Sequence, residues 1–144
     1  MTLFVDASDS PHVKAHATGR WAEILFRALS TRVASRWQFI SFRGTRNGES
    51  RGVVDLLAIR KDTSDPAQRS LKRGDLFEVI LVQVKGGLAP PPTKEDCLRL
   101  KAVAKHHRAM AIVLFEWQKG KRCRFSKLGP RLQWVPTTAS ELFA

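Results

Sequence analysis

The stretch Leu76 to Gly87, LFEVILVQVKGG, constrains this chain more than any other. Side chains alternate along a strand, so Phe77, Val79, Leu81, Gln83 and Lys85 share one face, and Glu78, Ile80, Val82 and Val84 share the other. Both faces are mostly apolar, which predicts an interior strand covered on two sides. An amide and an ammonium nevertheless stand two residues apart at its end. Burying a Lys head group without a partner costs roughly several kcal/mol, so Lys85 calls for a nearby carboxylate. Parity sets Glu78 on the wrong face for that role. Asp55, inside the earlier apolar run Gly52 to Arg60 (GVVDLLAIR), is the better candidate, because Asp is a poor strand former and needs its own reason to be there.

The remaining elements group around that strand. Ser10 followed by Pro11 is a helix start, after a loose arm over residues 1 to about 9. The helix extends to about Ser30, with Val13, Ala17, Trp21, Ile24, Leu25 and Ala28 as its apolar stripe. His16, Arg20, Glu23 and Arg27 form a separate stripe. There Glu23 is either an exposed ion pair with Arg20 or Arg27, or a carboxylate on a helix edge beside a site. Trp37 to Arg43 alternates as a strand, and Asn47-Gly48 marks a hairpin turn into Gly52 to Arg60. Trp37, Phe39 and Phe42 read as partly core-facing. Residues 61 to 74 are a polar, basic connection, mobile or facing a nucleic acid.

After the stiff LAPPP segment, Thr93 and Asp96 resemble a capping box for a helix from Lys94 to His107, with Leu100, Val103, Ala104 and His107 inward. Lys94, Lys101, Lys105 and Arg108 form a basic stripe on its outer side. Ala109 to Trp117 is a second interior strand, with Cys123 to Leu128 as its hairpin partner. The tail, residues 129 to 144, is an extension with an edge strand at Leu132 to Val135. The 144 residues thus form a single mixed α/β domain.

Charge narrows the choice of partner. Lys and Arg outnumber Asp and Glu 25 to 13, giving a net charge of +12 and a pI near 10.7. That favours a polyanion, and nucleic acid over an anionic membrane, because no amphipathic basic helix dominates. The arginines and lysines at Arg43, Arg46, Arg51, Arg69, Lys72 and Arg73 lie in the two connections and are the candidate phosphate contacts. No apolar run approaches the ~18 residues of a membrane span, and the N-terminus lacks a signal-like pattern, so a cytoplasmic location is expected. Cys97 and Cys123 form no CxxC pair, and with His106 and His107 they match no zinc spacing.

If the strands carrying Asp55 and Gln83 are neighbours, Asp55, the Gln83 amide oxygen and a backbone carbonyl near Val84 make an oxygen cluster suited to a hard cation such as Mg²⁺. Lys85 would then orient or help deprotonate water and stabilise phosphate charge. The competing reading is a structural Asp55–Lys85 ion pair with Gln83 bonded to both.

The order helix-strand-strand-strand-helix-strand, with Asp55 and then Gln83-Val84-Lys85, resembles the PD-(D/E)XK nuclease superfamily. Gly19-Arg20-Trp21-Ala22-Glu23, Gly52-Val53-Val54-Asp55 and the Gln-x-Lys strand are similar to its Holliday-junction-resolvase-like and Mrr-like branches. The resemblance covers roughly residues 16 to 117. It implies a restriction-endonuclease-like αβββαβ core, with a central mixed sheet flanked by helices. It further implies an endodeoxyribonuclease using Mg²⁺ or Mn²⁺, with no small-molecule cofactor. Carried over, the converging residues are Glu23, Asp55, Gln83 and Lys85, with Asp55, Gln83, Glu23 and the Val84 carbonyl toward the metal. Val54 stands where a Pro often precedes the Asp, and Gln83 replaces a Glu, removing one negative charge from the metal shell. Glu23 would supply the missing carboxylate, with Asp96 or Glu95 as second choices.

No recognition helix or zinc finger is present, so cutting would be structure-selective or weakly sequence-selective. A junction-resolving or repair role would favour a homodimer, since two strands must be cut. The alternatives are a catalytically inactive DNA-binding module of the same fold, and a basic RNA-associated structural protein. Exposed aromatics interleaved with basic residues on a sheet would favour the last.

Overall fold

The computed structural model describes residues 11–42, 52–118, 120 and 122–144, and the side chains of the first helix from residue 19 onward. The elements are α1 (Pro11–Val33), β1 (Gln38–Ser41), β2 (Leu56–Lys61), β3 (Phe77–Gly86), α2 (Lys94–His107), β4 (Ala111–Trp117), β5 (Arg124–Leu128), β6 (Trp134–Thr137) and α3 (Ala139–Phe143). They form an α/β fold around one open six-stranded sheet, ordered β1-β2-β3-β4-β5-β6. All neighbours are antiparallel except β3 and β4, which run parallel. A parallel pair needs a crossover, and α2 supplies it. The loose arm at residues 1 to 9, the Ser10 cap, the Asn47-Gly48 turn, and Arg43, Arg46 and Arg51 lie outside the described residues.

The ten-residue strand β3 is central and buried over Ile80 to Val84. Its alternation divides the interior into two cores. Ile80, Val82 and Val84 pack with Ala22 and Phe26 of α1 and Phe143 of α3. Leu81 packs on the other face with Cys97 and Leu100 of α2 and Ile112 of β4. Phe26 sits at the centre of the first core, edge-on to Phe39, Phe115 and Phe143 at centroid distances of 5.6–5.9 Å. Edge-to-face contacts of this kind add to the area the rings bury.

That aromatic cluster decides the rotation of α1 and corrects the expected stripe. Ala22, Glu23, Phe26 and Ser30 are buried, whereas Ile24 is 45% exposed and Ala28 faces solvent. The large Phe26 ring turns inward, and the i±4 row that carries it brings small Ala22 and Ser30 against the sheet. His107 also departs from expectation. It is exposed at the end of α2 and stacks edge-on against His106.

The capping box forms as read: Asp96 N–H donates to Thr93 Oγ1 at 3.1 Å and Thr93 N–H to Asp96 Oδ2 at 3.0 Å. These bonds satisfy two donors at the helix start and hold the Asp96 carboxyl below its ordinary pKa, with the Lys85 and Arg99 charges assisting. The connection from Lys61 to Phe77 is a hydrogen-bonded hairpin loop, not a loose one. Asp62 accepts from Ser64 N–H and Oγ, Asp65 pairs with Arg73, and Lys72 N–H donates to Asp75. In the tail, the edge strand begins two residues later than predicted. It includes Pro136, which an edge position tolerates, and the short helix α3 follows.

Candidate functional site

Asp55 sits where β2 and β3 part. On one side β1 stays in register with it, since Phe42 N–H donates to the Asp55 carbonyl at 3.1 Å. On the other side Asp55 N–H donates to Val82 O at 2.9 Å, although the register places Leu56 opposite Val82. Two residues of one strand thus meet one of its neighbour, a bulge-like step of the kind that re-aims a side chain. The Asp55 carboxylate fills the gap: its Oδ2 accepts from Val84 N–H at 2.8 Å. A side-chain oxygen has replaced a backbone carbonyl in the ladder. That is the reason an Asp is tolerated in this apolar run. In a strand the N–H and C=O of one residue point toward the same neighbour, so the Val84 carbonyl is also directed to the Asp55 side.

Gln83 and Lys85 project from the sheet face that α2 covers, as Leu81 does by alternation. Gln83 is 7% exposed, and among the described residues its Oε1 is buried with no hydrogen-bond partner. A buried amide oxygen left without a donor is unfavourable by about 1–3 kcal/mol, so the oxygen is one that a donor or cation would satisfy. Lys85 is half-buried, not enclosed. The α2 N-terminus lies close enough for Lys85 to help lower the Asp96 pKa.

Sequence reasoning missed Glu116. The parallel register sets it beside Lys85 on the same face, and Glu116 Oε1 lies 3.7 Å from Arg124 Nη2. The one local signal was an acid near the end of the apolar strand AIVLFEW. Glu78 takes the opposite face, as parity requires. It pairs with Arg60, whose guanidinium also lies 4.3 Å over the Trp37 ring.

Glu23 is 6% exposed on the face of α1 that packs against Val82 and Val84. It therefore belongs to the layer opposite Gln83 and Lys85, and its burial departs from the exposed position of a helix-surface pair. Asp55, lying in the plane of the sheet, is the element between the two layers. Among the described residues no group of three or more His, Cys, Asp or Glu is arranged to hold a metal. Hard-oxygen donors here come instead from one carboxylate, one amide and one carbonyl. That set suits a cation that keeps most of its waters, as Mg²⁺ does, and would bind it weakly. Cys97 is buried and Cys123 half-buried, with both thiols free and pushed up in pKa by burial.

Of the expected phosphate contacts that are described, Arg69 and Lys72 are exposed, while Arg73 is engaged by Asp65. A cavity of about 460 Å³ lies toward the other edge of the sheet, lined by residues of β5, β6 and the start of α3 and bordered by Glu116 of β4. No helix is long and apolar enough to cross a membrane among the described residues. The chain matches no family model, no curated protein and no solved structure.

Proposed function

We propose that this protein is a metal-dependent endonuclease of the PD-(D/E)XK type, hydrolysing phosphodiester bonds of DNA at the split between β2 and β3. The carrying observation is the placement of Asp55 in that split, its carboxylate bonded to Val84 N–H, while Oε1 of the preceding residue Gln83 is buried without a hydrogen-bond partner among the described residues. The element order, which begins α-β-β-β-α-β, agrees with the resemblance in the sequence. A divalent cation held by Asp55, Gln83 Oε1 and the Val84 carbonyl would supply Lewis-acid assistance to phosphoryl chemistry.

The remaining work belongs to the chain itself. Val84 N–H holds the Asp55 carboxylate in one orientation. Lys85 places an ammonium where a pentacovalent phosphate would carry extra negative charge. Glu116, its register partner on β4, and Asp96, at the start of α2, bring carboxylates to the neighbourhood of that ammonium. Arg69 and Lys72 offer phosphate contacts along the connection, and DNA affinity falls with salt as counterions are released.

The test is cleavage of supercoiled, branched and single-stranded DNA in Mg²⁺ or Mn²⁺ by wild type, Asp55→Asn and Lys85→Ala, with DNA binding measured in parallel. Cleavage should fall by about 100-fold or more in both variants, the scale of removing one transition-state electrostatic contact, while binding persists. Wild type that cuts none of these substrates, or variants that cut at the wild-type rate, would refute the proposal.

A further inference from the structure

The sheet face covered by α2 is covered only in part. Helix α2 packs over Leu81 and Ile112, with Cys97 and Leu100 beneath it. The outer part of that face, formed by β1 and the far ends of β2 and β3, lies beyond the helix, while Leu57 and Val79 border the core beneath it. By alternation and register it carries Ile40 and Phe42 next to Leu57, then Ile59 and, at the far end, Lys61 opposite Phe77. Phe77 is 60% exposed, Phe42 48% and Ile40 44%. Large aromatic rings standing this far out of a sheet are not core residues. Phe42, read from the sequence as partly core-facing, stands outward, and exposed rings beside cations on a sheet are also the pattern that favours an RNA-associated protein.

We infer that this open half-face is a platform for an unpaired nucleic-acid strand, with bases stacking on Phe77 and Phe42 and the backbone led toward Asp55. The inference rests on reading the Asp55 site as a nuclease site, and it specifies the substrate as a single-stranded segment. Three observations favour this occupant. Lys61 is exposed and in register with Phe77, so a cation stands beside the most exposed ring. The connection running from Lys61 to Phe77 adds exposed Arg69 and Lys72, whereas its acids Asp62, Asp65 and Asp75 are engaged by Ser64, Arg73 and the Lys72 N–H. Phe42 is hydrogen-bonded to Asp55 through the backbone, so the track ends at the candidate site.

Rings flanked by cations are the surface that single strands use, because each unpaired base offers a face to stack on and the phosphates need neutralising. Bases inside a duplex have no free face to give. A second copy of this chain is disfavoured on the same surface, since two molecules of net charge +12 would be brought together. From Phe42 to Phe77 the track measures about 22 Å by strand rise and spacing, room for several nucleotides.

Fluorescence anisotropy with labelled dT12 and with a labelled 12-base-pair duplex, both in EDTA, separates these readings. Phe77→Ala and Phe42→Ala should each weaken dT12 binding by roughly 5- to 100-fold and leave duplex affinity within about twofold. Phe77→Tyr, which keeps the ring, should restore dT12 binding, and unchanged thermal unfolding confirms the fold. Equal weakening of both ligands, or dT12 affinity unmoved by either alanine, would overturn the platform. So would a loss of self-association in the alanine variants with dT12 affinity retained, which would give the face to a second copy. Because the measurement excludes metal, platform failure with intact duplex binding leaves the nuclease reading standing. Absence of binding to either DNA would count against both.

Discussion

At residue 55 two substitutions separate structure from chemistry. Asp55→Asn keeps an oxygen that can accept from Val84 N–H, whereas Asp55→Ala leaves that donor without its partner. Urea unfolding should therefore show Asn close to wild type and Ala destabilised by about 1–3 kcal/mol, the usual cost of an unsatisfied part-buried donor. Equal loss in both would mean that Asp55 stabilises through its charge. Parity along the two strands makes Asp55, Gln83 and Lys85 legible in the sequence, and the same rule excludes Glu78, which the Arg60 pair bears out. Glu116 was not legible in the same way. Its significance comes from the parallel pairing of β3 with β4, a register that no local pattern specifies. The bulge-like step at Asp55 is likewise a product of the pairing and not of the residues around it.

Among the elements, α2 gives the clearest test. Thr93→Ala removes one arm of the capping box and should cost about 1 kcal/mol by urea unfolding. The other arm reports through pH. The folded Asp96 pKa lies below its ordinary 3.8, so its contribution is fully present above about pH 4 and is lost as pH falls through the lowered folded value. Asp96→Asn should therefore flatten the acid limb of the stability curve and leave its shape near neutrality unchanged. An acid limb as steep as that of wild type would contradict this assignment. Capping chemistry is local, which is why the bounds of α2 were readable. The face of α1 was not, because Phe26 follows an aromatic cluster assembled from β1, β4 and α3. Helix α3, Ala139–Phe143, is too short to carry a period and owes its place to Phe143 in that cluster.

For the whole molecule, the two faces of the sheet have different tasks. Helices α1 and α3 close one face over an aromatic core. On the other face α2 closes only part, leaving Ile40, Phe42 and Phe77 exposed beside a basic connection. The excess of positive charge was evident from composition, but its position relative to the open face depends on the fold. So does the layering of the site, in which Glu23 lies on one side of the sheet, Gln83 and Lys85 on the other, and Asp55 between them.

The proposed site would take a divalent cation in the gap between β2 and β3, on oxygen donors of Asp55, Gln83 and Val84. A crystal structure of the protein in millimolar Mn²⁺, with anomalous scattering recorded at the manganese edge, tests it most directly. Wild type should give one peak in that gap, with Gln83 Oε1 turned toward it, and Asp55→Asn should lose the peak. No peak there in wild type, or one that persists unchanged in Asp55→Asn, would contradict it.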